Sequence, residues 1–183
     1  MTFRENYTKS ILPKLKEQLG LANINAAPHL RAVVIHVGFG KRTKEANFIE
    51  HVRKSLGNIT GQKPVNTLAK QSISNFKVRK GSVIGMKVTL RGLRMYDFLE
   101  KLITITLPRV PDFRGISKKV IDETGNLNVG FKDHISFPEV DVQEIADPHG
   151  IQITVVTDAG TKKRGLALFE LMGFPFKKDE SNK

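Results

Sequence analysis

Residues 85–92 read GMKVTLRG and alternate with a period of two. Met86, Val88 and Leu90 fall on one side; Lys87, Thr89 and Arg91 fall on the other. Successive side chains of a strand project to opposite faces. This octapeptide is therefore expected as a strand whose apolar side meets a core and whose other side carries two bases and a hydroxyl. A face so rich in donors is unlike a second core and very like a binding platform.

The segment before it, AKQSISNFKVRKG at residues 69–81, holds four bases, two serines, an asparagine, one phenylalanine and no acid. Between Glu50 and Asp97 no acid occurs, while Arg53, Lys54, Lys63, Lys70, Lys77, Arg79, Lys80, Lys87, Arg91 and Arg94 do. That quarter of the chain carries +10 of a total +12. Residues 120–161 run the other way, with Asp122, Glu123, Asp133, Glu139, Asp141, Glu144, Asp147 and Asp158 against Lys132 alone. A pI near 10.0 with charge so segregated points to a polyanionic partner, nucleic acid first, with a solvated basic surface or an anionic membrane contact as the alternatives. The opposite, acidic segment suits water or a basic protein.

Other elements follow from the same periodicities. Thr2 and Glu5 have the spacing of a capping box, after which Phe3, Tyr7, Ile11, Leu15 and Leu19 recur at helical intervals with Pro13 among them. RAVVIHV, residues 31–37, is expected as a strand with Val33, Ile35 and Val37 on one face, followed by a helix carrying Phe48, Ile49, Val52, Leu56 and Ile59 and stopping at Gly61. VNTLAK, residues 65–70, is a further strand, and a third helix starts near residue 94 and stops at Pro108. Residues 109–150 are expected to be irregular with a short hairpin at Gly125-Asn126; the strand IQITVVT, residues 151–157, and a helix at 162–172 close the fold.

The fold class expected is α+β: a two-layer sandwich of a mixed or antiparallel sheet, helices on one face and a polar, RNA-facing opposite face. That outward face would hold Lys87, Thr89, Arg91, Gln152, Thr154, Asn66 and His36. Residues 1–178 are expected to form a single domain with an extended basic loop at 70–82, and residues 179–183 a disordered tail. The chain of 183 residues contains no cysteine, which excludes disulfides and thiolate sites and fits a reducing cytoplasm. Neither a secretory signal nor an apolar run long enough for a bilayer is visible, so no membrane partner is expected.

Enzyme motifs fail on inspection. GFGKRT, residues 38–43, lacks the first glycine of a phosphate loop and has Arg42 where Ser or Thr should bind magnesium. His29, His36, His51, His134 and His149 show no paired ligand spacing, so no metal site is expected. No nucleophile elbow or acid pair stands out, and no cofactor is implied. The pattern for stacking-sheet RNA readers is absent, and Phe76 is expected to anchor its loop on the body. Folded RNA, met through phosphates, 2′-hydroxyls and groove shape, suits these residues best.

Several blocks resemble one family. ITGQKPV (59–65), AKQSISNFKVRKGSVIGMKVTLRG (69–92) and the RM that follows at 94–95 are similar to the central block of the large-subunit ribosomal protein five family, which binds 5S ribosomal RNA. VGFG (37–40), PRVPDFRG (108–115), FPE (137–139) and FPF (174–176) resemble its other segments. The resemblance implies a structural, non-enzymatic component of the large ribosomal subunit in the cytoplasm, placed in the central protuberance with 5S rRNA, 23S-type rRNA and the other 5S-associated proteins. It implies 5S contacts at His36, Gln62 and Thr89, to which the outward Lys87 and Arg91 and the neighbouring Lys63 are added as rRNA-binding residues. The family usually has asparagine where this chain has His36. It further implies that loop 70–82 reaches P-site tRNA through Lys70, Ser72, Ser74, Asn75, Lys77, Arg79 and Lys80. Finally, the family bridges to a basic protein of the small-subunit head, for which the acidic segment 120–161 is the candidate.

Overall fold

The computed structural model describes residues 2–40, 42–76, 78–140 and 148–177. Lys77, the acids Asp141, Glu144 and Asp147, and the tail at 179–183 lie outside the described residues.

The capping box at the N-terminus forms in both directions. Thr2 Oγ1 accepts from the Glu5 N–H at 3.3 Å, and the Glu5 carboxylate accepts from the Thr2 N–H at 3.2 Å. The helix that follows, α1, has regular turns at Phe3–Asn6 and Leu12–Gln18 around a wide π turn at Tyr7–Ile11. Proline cannot donate to the ladder and its ring crowds the carbonyl one turn back. The π turn adds a residue just before Pro13, re-aiming those carbonyls so that the helix continues.

Helix α2 spans Ala46–Thr60 and ends at Gly61, whose φ of +63° closes the helix in the left-handed region. The device seen in α1 recurs in α3, built of Gly92–Lys101, a π turn at Leu102–Thr106, and Leu107–Arg109. The stop expected at Pro108 is thereby corrected, because the helix passes through the proline to Arg109. Helix α4 spans Lys162–Leu171.

The strands are β1 Leu30–Gly38, β2 Val65–Leu68, β3 Val83–Leu90, β4 Leu127–Phe131 and β5 Ile151–Thr157, in one sheet of order β2-β3-β1-β5-β4. Strand ends meet strand starts. The Phe39 N–H just beyond β1 donates to the Ile84 carbonyl of β3 at 2.9 Å, and the Asp158 N–H just beyond β5 donates to the His29 carbonyl before β1 at 3.1 Å. With β2 antiparallel to β3, the sheet is antiparallel and the fold is α+β, in agreement with the sequence pattern. β4 is the strand that lay inside the stretch expected to be irregular: LNVGF alternates over only five residues, and Asn128 and Gly130 are both weak strand formers.

The chain divides into two compact units. The first comprises Met1–Val33, Leu90–Val129 and Thr154–Lys183. Its core joins α1 to α3 through the rings of Tyr7 and Tyr96, 5.4 Å apart. Burial raises the Tyr7 phenol well above its ordinary range, and its oxygen accepts from the Leu30 N–H at 3.3 Å. The expected hairpin at Gly125-Asn126 is present, built on Asp122. This carboxylate accepts from the N–H groups of Thr124 at 3.0 Å and Asn126 at 2.8 Å, from the Thr124 hydroxyl at 2.8 Å, and from Asn126 Nδ2 at 2.9 Å.

The second unit comprises Val34–Thr89 and Gly130–Ile153. Ile35 and Val37 of β1, Met86 and Val88 of β3, and Phe48, Val52, Leu56 and Ile59 of α2 are all buried in it. The apolar positions of GMKVTLRG are thus core, with Met86 at 0% and Val88 at 1% exposure.

Candidate nucleic-acid interface

Within the second unit, the outward positions of β1 and β3 carry His36, Lys87 and Thr89, with Lys87 exposed and the other two half-buried. Burial and then the Lys87 charge lower the His36 pKa, so the imidazole is neutral at physiological pH. Neutral histidine keeps one donor and one acceptor. Gln62, in the turn between α2 and β2, is held over the same strand: its Nε2 donates to the Thr89 carbonyl at 3.4 Å. Lys63 beside it is exposed. The fold therefore brings Gln62 onto Thr89 and places His36 within reach of the Lys87 charge, residues far apart in sequence.

Gly85 explains part of this surface. A Cβ there would lie 2.5 Å from the Val37 carbonyl oxygen, 2.9 Å from Thr67 Oγ1 and 3.2 Å from His36 Nε2. Bare backbone at Gly85 lets the His36 ring and the Thr67 hydroxyl lean across β3.

Register corrects one expected residue. Val65 pairs with Lys87 and Asn66 with Met86. Directly opposed residues of an antiparallel pair project to one face. Asn66 accordingly shares the face of buried Met86, and Val65 and Thr67 stand on the outward face instead. The alternation of β2 alone could not fix this, because a slip of one residue exchanges the faces.

In the first unit, Arg91 follows β3, exposed, and its Nη1 donates to the Arg31 carbonyl at 3.4 Å. Thr154 is half-buried there, with its hydroxyl on Asn128 Oδ1 at 2.7 Å. Gln152 lies exposed on β5 in the second unit.

The basic loop is itself structured. It leaves edge strand β2 and returns as a small hairpin, with Ile73 and Val78 exchanging backbone bonds of 2.9 and 3.2 Å around a 3₁₀ turn at Ser74–Phe76. The Lys80 N–H donates to Ser72 Oγ at 2.9 Å, and the Ala69 N–H to the Ser82 carbonyl at 2.9 Å. Lys70, Ser72, Ser74, Asn75, Arg79 and Lys80 are all exposed. Phe76 is 75% exposed, so the expected anchoring of this ring on the body is corrected: it stands at the hairpin tip.

Beneath the hairpin a concavity is lined by Lys44, Ser72, Ser74, Val78, Arg79 and Ser82. Lys44 comes from the turn after β1, where Gly40 takes a φ of +57°. Its participation is not legible in the sequence, because the local pattern of that turn does not say which distant loop lies over it. Arg42 of the same turn is committed elsewhere, to Glu45 Oε2 at 2.7 Å and to the face of Phe48 at 3.8 Å.

Two acids of the 120–161 segment have internal work. For Asp122, burial opposes ionisation, but the bonds from Asn126 and Thr124 outweigh it and hold the carboxyl below its usual range. Asp158 pairs with Arg31 at 2.8 Å. Three of the five histidines, His51, His134 and His149, converge in the second unit although their sequence spacing gave no sign of it.

The match to known proteins is extensive. The ribosomal protein L5 pattern covers residues 23–79, and the pattern for the C-terminus of the same ribosomal family covers residues 83–176. The chain belongs to the ribosomal protein L5 family. It is 48% identical over 175 residues to the large ribosomal subunit protein uL5 of Dehalococcoides mccartyi, spanning 96% of this chain and 97% of that one. Identity to the uL5 proteins of Halothermothrix orenii and Thermus aquaticus is 46% over 172 and 178 residues, covering 94% and 97% of this chain and 96% and 98% of theirs. An L5-family protein is a structural component of the large ribosomal subunit, works in the cytoplasm with the ribosome and is not an enzyme. No helix among the described residues is long and apolar enough to cross a membrane.

Proposed function

We propose that this L5-family protein binds 5S rRNA through His36, Gln62, Lys63, Lys87 and Thr89, with Arg91 as a further phosphate contact. It thereby anchors the 5S rRNA in the central protuberance beside 23S-type rRNA and the other 5S-associated proteins. The observation that carries the proposal is the Gln62 side chain held on the Thr89 carbonyl, in a stretch without a single acid from residue 51 to 96, with His36 on the outward face of the neighbouring β1 close enough to feel the Lys87 charge. Fixed donors beside uncompensated positive charge suit a folded RNA, whose phosphates supply affinity and whose shape and 2′-hydroxyls supply selectivity.

The hairpin of loop 70–82 contacts P-site tRNA in this proposal. Lys70, Arg79 and Lys80, with Lys77 by sequence, lie along the phosphate backbone, and Ser72, Ser74 and Asn75 donate beside them. The acidic 120–161 segment meets a basic protein of the small-subunit head.

Competition binding tests the central claim. The free protein should hold 5S rRNA in the presence of an unrelated duplex of equal length. Log affinity should fall with log salt by about 0.7 to 0.9 per neutralised phosphate. Equal binding to both RNAs would remove specific recognition.

A further inference from the structure

We infer that His51, His134 and His149 form a binding site for a divalent transition metal of the zinc class inside the second unit. One ring nitrogen of each lies within 4.8 Å of the others. His51 comes from α2, His134 from the 3₁₀ turn His134–Ser136 after β4, and His149 from the segment just before β5. His134 and His149 stack with centroids 3.9 Å apart, and His51 stands edge-on to both at 5.7 and 5.6 Å. The two stacked rings are 0% and 5% exposed, and His51 Nε2 is buried with no hydrogen-bond partner among the described residues.

The three imidazoles come from separate segments, and two of them are buried face to face. Stacked rings at van der Waals distance repel if both are protonated, and burial disfavours the charge further. As neutral ligands they have the opposite character. Tetrahedral zinc, with bonds of about 2.0–2.1 Å, needs its nitrogen ligands about 3.3 Å apart. Side-chain rotation from within 4.8 Å closes that gap.

Coordination through His134 Nε2 carries one adjustment. Its Nδ1 accepts from the His149 N–H at 3.3 Å, a long bond. To offer the Nε2 lone pair, the ring proton moves to Nδ1 and that bond is given up. Three nitrogen donors without thiolate or carboxylate among the grouped residues favour zinc, copper, nickel or cobalt over magnesium or calcium. Three protein ligands leave a fourth position for water. The ion would tie α2 to the turn after β4 and to the start of β5.

The test uses the full chain stripped of metal by a chelator. Calorimetric titration with Zn²⁺ should give one ion per chain and a raised unfolding temperature, with affinity falling as pH drops because protons compete for the nitrogens. Co²⁺ as probe should give the intense visible bands of a four-coordinate site. His134→Gln with His149→Gln should lose on the order of 100-fold or more in affinity, since even indirect partners of metal sites are worth roughly 10–100-fold. His29→Gln should leave affinity unchanged. Imidazole nitrogen NMR of the unaltered chain gives a readout that needs no variant: Zn²⁺ should shift the three clustered rings and spare His29 and His36. Absence of saturable binding, shifts confined to other histidines, or full affinity in a folded double variant would overturn the site.

Discussion

Gln62 Nε2 donates to the backbone carbonyl of Thr89 at 3.4 Å, leaving the Thr89 hydroxyl outside that bond. Thr89→Val therefore removes a donor from the outward face without disturbing the contact that positions Gln62. Valine keeps the β-branched shape and strand propensity. Binding to 5S rRNA should weaken by about 1 kcal/mol, roughly fivefold, with the melting temperature unchanged. Filter binding beside thermal unfolding checks both; unaltered affinity would place Thr89 outside the interface.

Lys87 contributes to the depressed pKa of His36 after burial does. Lys87→Met removes the charge and keeps the stem. The His36 pKa should rise toward its ordinary value without reaching it, because burial remains. The sign for stability follows from linkage. A histidine with a lowered folded pKa binds its proton more readily when unfolded, so its contribution is constant above the ordinary histidine range and is lost as pH falls through it. Lys87→Met should flatten that loss. Proton NMR titration of the His36 ring reads the shift directly, and an unmoved pKa would mean that the Lys87 charge is fully screened.

Arg79→Ala with Lys80→Ala should spare binding of isolated 5S rRNA and lower retention of P-site tRNA on ribosomes assembled with the variant. Both residues are exposed on the hairpin, and Arg79 also lines its concavity. Contacts to phosphate carry no base information, so the loss should be similar for different tRNAs. Collapse of 5S affinity with tRNA retention intact would assign the hairpin to the other RNA.

Gly165→Ala should be destabilising although alanine is the better helix former. Its Cβ would press on the Gly125 carbonyl oxygen and lie 2.7 Å from Gly125 Cα. Gly125 cannot retreat cheaply: it holds a φ of +88° in the hairpin built on Asp122. Overpacking of this kind costs about 1–3 kcal/mol, and for a chain of this size each kcal/mol lowers the melting temperature by roughly 2–4 °C. Calorimetry of the variant measures it, and an unchanged or raised melting temperature would show that the two backbones separate freely.

Sequence alone determined what depends on neighbours along the chain. The alternation of Met86, Val88 and Leu90 with Lys87 and Thr89 is a property of strand geometry, and the capping box of Thr2 and Glu5 closes within one helical turn. Charge segregation needed only counting. Tertiary structure decided the rest, because each remaining feature depends on which distant backbone lies alongside. Asn66 lies on the Met86 side of the sheet, exposed at its edge, because pairing with β3 sets it opposite Met86, and no local pattern in VNTL fixes that register. Pro13 and Pro108 stay inside helices because π turns precede them, a solution held in place by the burial of Tyr7, Ile11, Leu102 and Leu107. Phe76 is exposed because the exchange of bonds between Ile73 and Val78 carries it to a hairpin tip. His51, His134 and His149 meet only after α2, β4 and β5 have packed, since ligand spacing along a chain reveals sites made by one or two local turns and is silent about sites assembled by folding.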